Sequence, residues 1–250
     1  MSELLGPIAE GRFDAVLFDL DGVLTATAKL HATCWKTMFD EYLEQRAATT
    51  GEPFQPFEIA TDYKQYVDGK LRYDGVRGFL ESRSIDLPWG DPEDPPNRET
   101  VCGLGNRKNE LIQEALASGG VEVFESSVTL VRQLHNAGIK TAVVSASKNC
   151  EAILRAAGIA DLFDLRVDGV VAARLELPGK PAPDTFLEGA RQLGVEPERA
   201  VVVEDAVSGV QAGRAGGFGL VIGVDRKGDP DALRSNGADV VVTDLSELLD

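Results

Sequence analysis

Two acids one residue apart, Asp19 and Asp21, follow an unbroken apolar run, Ala15-Val16-Leu17-Phe18, and precede Gly22. Such a run suits a strand buried on both faces of a parallel sheet. A carboxylate leaving that strand is costly unless it is paired or bound to a metal. In open α/β sheets ligands collect at the carboxyl ends of the strands, where this pair falls. Three further signals stand at comparable places. Ser145 follows Thr141-Ala142-Val143-Val144 and precedes a helix whose first amides suit an anion. Lys180 lies in the rigid loop Pro178-Gly179-Lys180-Pro181, and Glu204-Asp205 end the apolar run 200–203. Parallel strands bring their carboxyl ends together, so these groups can converge. Several acids in one pocket cannot all ionise without a countercharge. A hard cation with oxygen ligands, such as Mg²⁺, resolves the conflict, and Lys180 adds a second positive charge. A cation, a lysine, a serine hydroxyl and helix amides together suit a phosphoryl group.

The elements that position these residues can be read from the pattern. From 128 onward helices and strands alternate: helix 128–136, strand 140–145, helix 150–157, strand 162–167, helix 183–193, strand 200–203, helix 208–215, and strands 219–224 and 239–242. Alternation of this kind implies a parallel sheet with helices on both faces. Between 27 and 124 no convincing strand appears. An amphipathic helix is predicted over 27–48, capped by Thr25 or Thr27, with Leu30, Cys34, Met38 and Tyr42 on one stripe. His31 lies one turn after Thr27 on the same face. The stretch 58–67 reads as helical, 68–75 as a glycine-flanked loop holding Lys70 and Arg72, 76–84 as a helix, and 86–97 as an exposed proline-rich loop. A helix over 107–117 follows, stopped by Gly119-Gly120. The fold class expected is α/β, a doubly wound parallel sheet with an inserted helical domain. Residues 1–26 and 125–250 form the core, and 27–124 the insertion.

Composition narrows the function. The chain has 250 residues and a formal net charge of -16, which repels nucleic acid and anionic membrane. No apolar run approaches the ~18 residues that span a bilayer. The first dozen residues carry no basic n-region, so no secretory leader is expected. Cys34, Cys102 and Cys150 are far apart, which fits a reduced, cytoplasmic protein. Cys34 and Cys150 read as helix packing. With only His31 and His135, no histidine metal cluster is expected. Gly213–Gly219 is rich in glycine but follows a helix, so it reads as a helix stop and not as a nucleotide loop.

The strings Asp19-Leu20-Asp21-Gly22-Val23, Ser145, Lys180 and Glu204-Asp205 resemble the four motifs of the haloacid dehalogenase superfamily of phosphotransferases. Thr27, His31 and Trp35, the string Ser145-Ala146-Ser147-Lys148-Asn149 and Gly179-Lys180-Pro181-Ala182-Pro183-Asp184 resemble its β-phosphoglucomutase branch, in which a helical cap follows the first strand. The resemblance implies that Asp19 is a nucleophile forming an aspartyl phosphate, and that Asp21 is the general acid/base. It implies one Mg²⁺ held by Asp19, the backbone carbonyl of Asp21, and Asp205 with Glu204. Ser145 and Lys180 would hold the transferring phosphoryl group, and Ser147, Lys148 and Asn149, beside Ala146, a distal phosphate. Gly69, Lys70 and Arg72 would grip the sugar phosphate from the cap, with Trp35 and Thr27 nearby and His31 helping to align Asp21 or the hydroxyl. The chain departs from the family at Ala26, where an acid is usual, and at Asp68, where a lysine is usual. The implied activity is isomerisation of β-glucose 1-phosphate and glucose 6-phosphate through glucose 1,6-bisphosphate. A sugar-phosphate phosphatase on the same scaffold is the second reading, and a sugar-phosphate binding protein without turnover the third. The expected partner is a small sugar phosphate, with no nucleic acid and no membrane, acting on a monomer.

Overall fold

The computed structural model describes residues 11–118 and 121–249. The chain divides into two compact units, one of residues 1–26 and 121–250 and one of residues 27–120. The expected helix stop at Gly119-Gly120 and most of the stretch read as lacking a leader lie outside the described residues.

In chain order the elements are β1 (Ala15–Phe18), α1 (Ala28–Thr50), a wide π-type helix (Ile59–Val67), α2 (Arg72–Ser82), α3 (Val101–Ser118) and α4 (Glu125–Asn136). There follow β2 (Lys140–Val144), α5 (Cys150–Ala156), β3 (Leu165–Val167), α6 (Gly169–Arg174), α7 (Asp184–Leu193), β4 (Ala200–Glu204), α8 (Val207–Ala215), β5 (Leu220–Val224), α9 (Pro230–Ser235) and β6 (Val240–Val242). The six strands make one sheet in the order β3-β2-β1-β4-β5-β6, and every pairing is parallel. This is the doubly wound α/β fold that the alternation predicts.

β1 lies in the middle of the sheet, in flush register with both neighbours: Phe18 pairs with Val143 on β2 and with Val203 on β4. Every residue of β1 and β4 is buried. That is why both strands are apolar up to Glu204, since helices cover both faces. α7 and α8 pack their apolar stripes onto these strands, with Phe186, Ala190, Val210 and Ala212 among the buried residues. Register therefore places residues 19, 145 and 204–205 side by side where the strand order reverses, the usual ligand position in such sheets.

The helical unit has its own core. Trp35, Phe39, Phe57 and Phe79 form a chain of ring contacts with centroids 4.2–5.4 Å apart. Two helix starts differ from expectation by several residues. α2 begins at Arg72, so Arg72 and Gly75 are helical and not part of the preceding loop. α3 begins at Val101, six residues earlier than the pattern predicts, and takes in Gly103 and Gly105. Those glycines hid the helix because glycine disfavours one. Here they permit close packing: a Cβ at Gly105 would lie 2.7 Å from the Tyr73 ring. The exposed loop predicted over 86–97 includes one buried acid, Asp94, which accepts from Thr100 Oγ1 and pairs with Arg98. The short helices α6 and α9 were absent from the sequence pattern, being under two turns long.

Candidate active site

The first group of predicted residues meets at the carboxyl edge of the sheet. Asp19, the residue after β1, donates its backbone amide to Val203 at 2.9 Å and so extends the ladder by one step. The residue is 7% exposed. Lys180 reaches in from its loop. Its Nζ lies 2.6 Å from Asp19 Oδ1, 2.5 Å from Glu204 Oε1 and 3.1 Å from the carbonyl of Val144. Burial works against a charged lysine, but Asp19 and Glu204 outweigh it and raise the Lys180 pKa above its ordinary value. Burial, followed by the negative charge of Glu204, pushes the Asp19 carboxyl well above the usual carboxylate range despite Lys180. The pocket thus holds more negative charge than its lysine neutralises.

Asp19, Glu204 and Asp205 offer oxygen atoms within 4.8 Å of one another, all from buried residues. Three hard oxygen donors and a shortfall of positive charge fit a divalent cation such as magnesium. The three acids are not equivalent. Both oxygens of Glu204 are engaged, one by Lys180 and the other by the backbone amides of Asp205 and Ala206. Glu204 is therefore an anchor for Lys180 and for the turn into α8. Asp205 also approaches Lys227, with Nζ 3.3 Å from Oδ2. Sequence reading passed over Lys227 because it follows β5 with no apolar or acidic signature.

Asp21 is the partly exposed member of the pair. Its amide donates to Asp19 Oδ2 at 3.0 Å, and its carboxylate is not one of the three clustered acids. The turn after it is tight: Gly22 donates to Thr25 O at 2.8 Å and has φ 92°. A Cβ at Gly22 would lie 2.4 Å from Asp205 Oδ2, so glycine is required for space as well as for its backbone angle. Thr25 and Ala26 then pair with the returning segment. Thr25 bridges Val123, Ala26 donates to Glu122 O, and Phe124 donates to Leu24 O. These bonds are all backbone, so Ala26 serves here without the acid that the family carries.

Ser145 is buried after β2. Its Oγ accepts from the amide of Ser147 at 3.1 Å, which leaves its own O–H to donate to an anion. Ser147 Oγ in turn accepts from the amide of Asn149, the residue before α5. Ala146, Ser147, Lys148 and Asn149 are all partly exposed. Asp168 caps α6 by accepting from Val170 and Val171, and Gly169 donates to Ser147 O. A Cβ at Gly169 would meet Ala146 O at 2.6 Å, so α6 backs the 146–148 loop closely. Cys150 beside it is a packing residue: burial, then the charge of Asp168, raises its thiol pKa well above the ordinary value. Cys34 is likewise raised by burial, against the pull of Lys108. Neither is an activated nucleophile.

The second group lies in the helical unit. Thr27 occupies the N-cap position of α1 but makes no capping bond through its side chain, because its own backbone is already helical (φ -84°, ψ -10°). Thr25 does not cap either, since its Oγ1 donates to Leu20 O. His31 and Trp35, both buried, meet a residue that sequence reading missed, Lys108. Its Nζ lies 2.8 Å from His31 Nδ1 and 5.1 Å from the Trp35 ring centroid. An ammonium donates only. A charged lysine at this distance requires His31 Nδ1 to accept, with the ring proton on Nε2. Arg72 is held by Asn109, which accepts from Nη2 at 2.8 Å. Lys70 turns to the carbonyl of Gln65, and Gly69 takes a left-handed turn with φ 69°.

Three comparisons with known proteins bear on the family of this chain. The haloacid dehalogenase-like hydrolase family model matches residues 13–217. A β-phosphoglucomutase of Mycobacterium bovis is 53% identical over 238 residues, 94% of this chain and 91% of that protein. A β-phosphoglucomutase of Bacillus subtilis is 31% identical over 94% of this chain and 91% of its own length. The crystal structure of β-phosphoglucomutase from Clostridium difficile superposes with a TM-score of 0.73 at 25% identity, covering 94% of this chain and 93% of that one. With its strand-end acids, its central lysine and these relatives, the chain belongs to the haloacid dehalogenase-like family, in the β-phosphoglucomutase branch.

Proposed function

We infer that the chain is an isomerase that interconverts β-D-glucose 1-phosphate and D-glucose 6-phosphate. The observation that carries this is the 53% identity to a curated β-phosphoglucomutase across nine-tenths of both chains. The phosphatase alternative has no better support.

In this reading Asp19 attacks the phosphoryl group and forms an aspartyl phosphate, dividing one hard transfer into two easier ones. Asp21 gives a proton to the departing sugar oxygen and takes one from the incoming hydroxyl. Its partial exposure, beside the buried Asp19, suits a group that must reach a sugar. Ser145 and Lys180 hold the transferring phosphoryl oxygens. Lys180 also aims Asp19 and offsets part of the burial and like charge that disfavour its anion. Ser147, Lys148 and Asn149 hold the phosphate that is not being transferred, at the start of α5. Magnesium, when bound, neutralises phosphoryl charge; Asp19, Asp205 and the backbone carbonyl of Asp21 are the groups to hold it, with Glu204 behind them. The helical unit is the substrate-selecting domain, with Arg72, Lys70 and Gly69 as its phosphate and sugar contacts and Thr27, His31 and Trp35 as further substrate-side residues. Glucose 1,6-bisphosphate is the intermediate, because a sugar with phosphate at either end must turn over between two halves of the reaction. Among the described residues no helix is long and apolar enough to cross a membrane. The enzyme acts as a monomer in the cytoplasm.

The test is an assay with Mg²⁺, β-glucose 1-phosphate and a trace of glucose 1,6-bisphosphate, following glucose 6-phosphate and free phosphate together. Glucose 6-phosphate without matching phosphate release is expected. Predominant phosphate release would make the protein a phosphatase. The isosteric Asp19→Asn protein should yield neither product, and normal turnover by it would remove Asp19 as nucleophile.

A further inference from the structure

Arg226, in the turn after β5, makes more ties than its place in the chain requires. Its Nε donates to the carbonyl of Gly22 at 2.9 Å. Its Nη1 donates to Thr243 O at 3.1 Å and to Asp244 Oδ2 at 3.2 Å. The guanidinium lies 3.7 Å from the centroid of the Phe124 ring, a close cation–π contact. One side chain thus joins the turn that follows Asp21, the segment returning from the helical unit, and the end of β6.

Asp19 and Asp21 are held in different ways. Asp19 is the last rung of the sheet and is gripped by Lys180. Asp21 belongs to a turn that is closed mainly on itself, by Gly22 N to Thr25 O and by Leu24 N and Thr25 N to Leu20 O. Residues 124–127 hold this turn from one side, through Phe124 N on Leu24 O and Ser127 Oγ on Val23 O. Arg226 holds it at Gly22, the residue next to Asp21, and stacks on the same Phe124. A planar fork that satisfies several acceptors in fixed directions is what a lysine cannot supply.

We propose that Arg226 is a positioning residue for proton transfer: it fixes the Gly22 turn and thereby places the carboxyl of Asp21. The proposal rests on the assignment of Asp21 as acid/base. It separates two steps that share Asp19. With acetyl phosphate as donor, an Asp19 oxygen attacks phosphorus, the phosphorus–oxygen bond to acetate breaks, and acetate leaves with the electron pair as a stable anion. No proton is needed. With a sugar phosphate as donor, the departing oxygen is an alkoxide and takes its proton from Asp21.

The experiment measures phosphoenzyme formation by rapid quench with ³²P-labelled acetyl phosphate and with labelled glucose 1,6-bisphosphate, on wild type, Arg226→Lys and Arg226→Ala. For both variants the rate from acetyl phosphate, which uses only the backbone of Asp21, should fall at least several-fold less than the rate from the sugar bisphosphate. The rate from the sugar bisphosphate should fall on the order of 10- to 100-fold, part of the 10²–10⁴ that a positioned acid supplies. Low concentrations of guanidinium, below those that unfold the protein, should restore part of the sugar-dependent rate in Arg226→Ala and none in wild type. Arg226→Lys keeps the charge and guards against an alanine variant that does not fold. Equal loss from both donors, or no loss from either, overturns the role of Arg226. A wild-type protein that takes up no label from either donor overturns the functional reading itself.

Discussion

A lysine that is 5% exposed, lying against an imidazole and an indole, costs desolvation that a methionine would avoid. Lys108 is therefore held for what it does to His31. Replacing it with methionine keeps the length and the apolar stem. Lys108→Met should leave the melting temperature unchanged or higher, and lower kcat/KM roughly 10- to 100-fold, the worth of a ~1.5–3 kcal/mol charged hydrogen bond. Steady-state kinetics beside a thermal melt decide it; a fall in both together would make Lys108 a folding residue. Asp19 and Glu204 were legible in the sequence because a charge at the end of a buried strand is costly without a partner, and Lys180 because it stands in a rigid, proline-flanked loop. Lys108 was not, because its meaning depends on where its helix begins. Once α3 starts at Val101, residues 101, 104, 105, 108 and 112 share one buried stripe, and a lysine in that stripe stands out.

At the scale of elements, the strands were readable to within a residue, because burial on both faces demands aliphatic runs, except β3, which is only partly buried and begins three residues later than the pattern predicts. The helices of the inserted unit were less so, since packing constraints override propensity there. Gly105 is helical because Tyr73 leaves no room for a side chain, a fact of tertiary contact that no local pattern carries. The same kind of contact governs α8 and gives a test at this scale. Glu204 lies beneath the first turn of α8, and a Cβ at Gly209 would come within 1.8 Å of Glu204 Oε1, the oxygen that accepts from Lys180. Gly209→Ala gains helix propensity, yet it must displace either the helix or the carboxylate. Overpacking of that sort costs ~1–3 kcal/mol. The expected result is a lower melting temperature together with a loss of turnover, because a displaced Glu204 releases Lys180 from its fixed position. A variant as stable and as active as wild type would show that α8 yields without disturbing the site. Ala at position 215, the last residue of α8, is exposed to no such contact, and an Ala215→Gly change serves as the propensity control.

For the whole molecule, the two units differ in what can stabilise them. Each has its own hydrophobic cluster, around Leu17 and Val202 in one and around Phe39 and Phe79 in the other. The clustered acids Asp19, Glu204 and Asp205 belong entirely to the sheet unit. Burial and like charge raise Asp19 in the absence of a cation, so binding one relieves a repulsion that exists in the folded sheet and not in the unfolded chain. Mg²⁺ at ~100 times its dissociation constant should then stabilise that unit by ~2.7 kcal/mol. For a unit of this size the gain corresponds to on the order of 5–10 °C. Both tryptophans, Trp35 and Trp89, lie in the helical unit, so intrinsic fluorescence reports that unit while far-UV circular dichroism reports both. Added Mg²⁺ should raise the main dichroism transition and leave the tryptophan transition where it was. Asp205→Asn removes one ligand charge and should abolish the shift without abolishing the fold. If the fluorescence transition rises with the dichroism in wild type, the two cores unfold as one; if neither moves, the acid cluster holds no magnesium under these conditions, and the charge shortfall around Asp19 is met by the lysines alone.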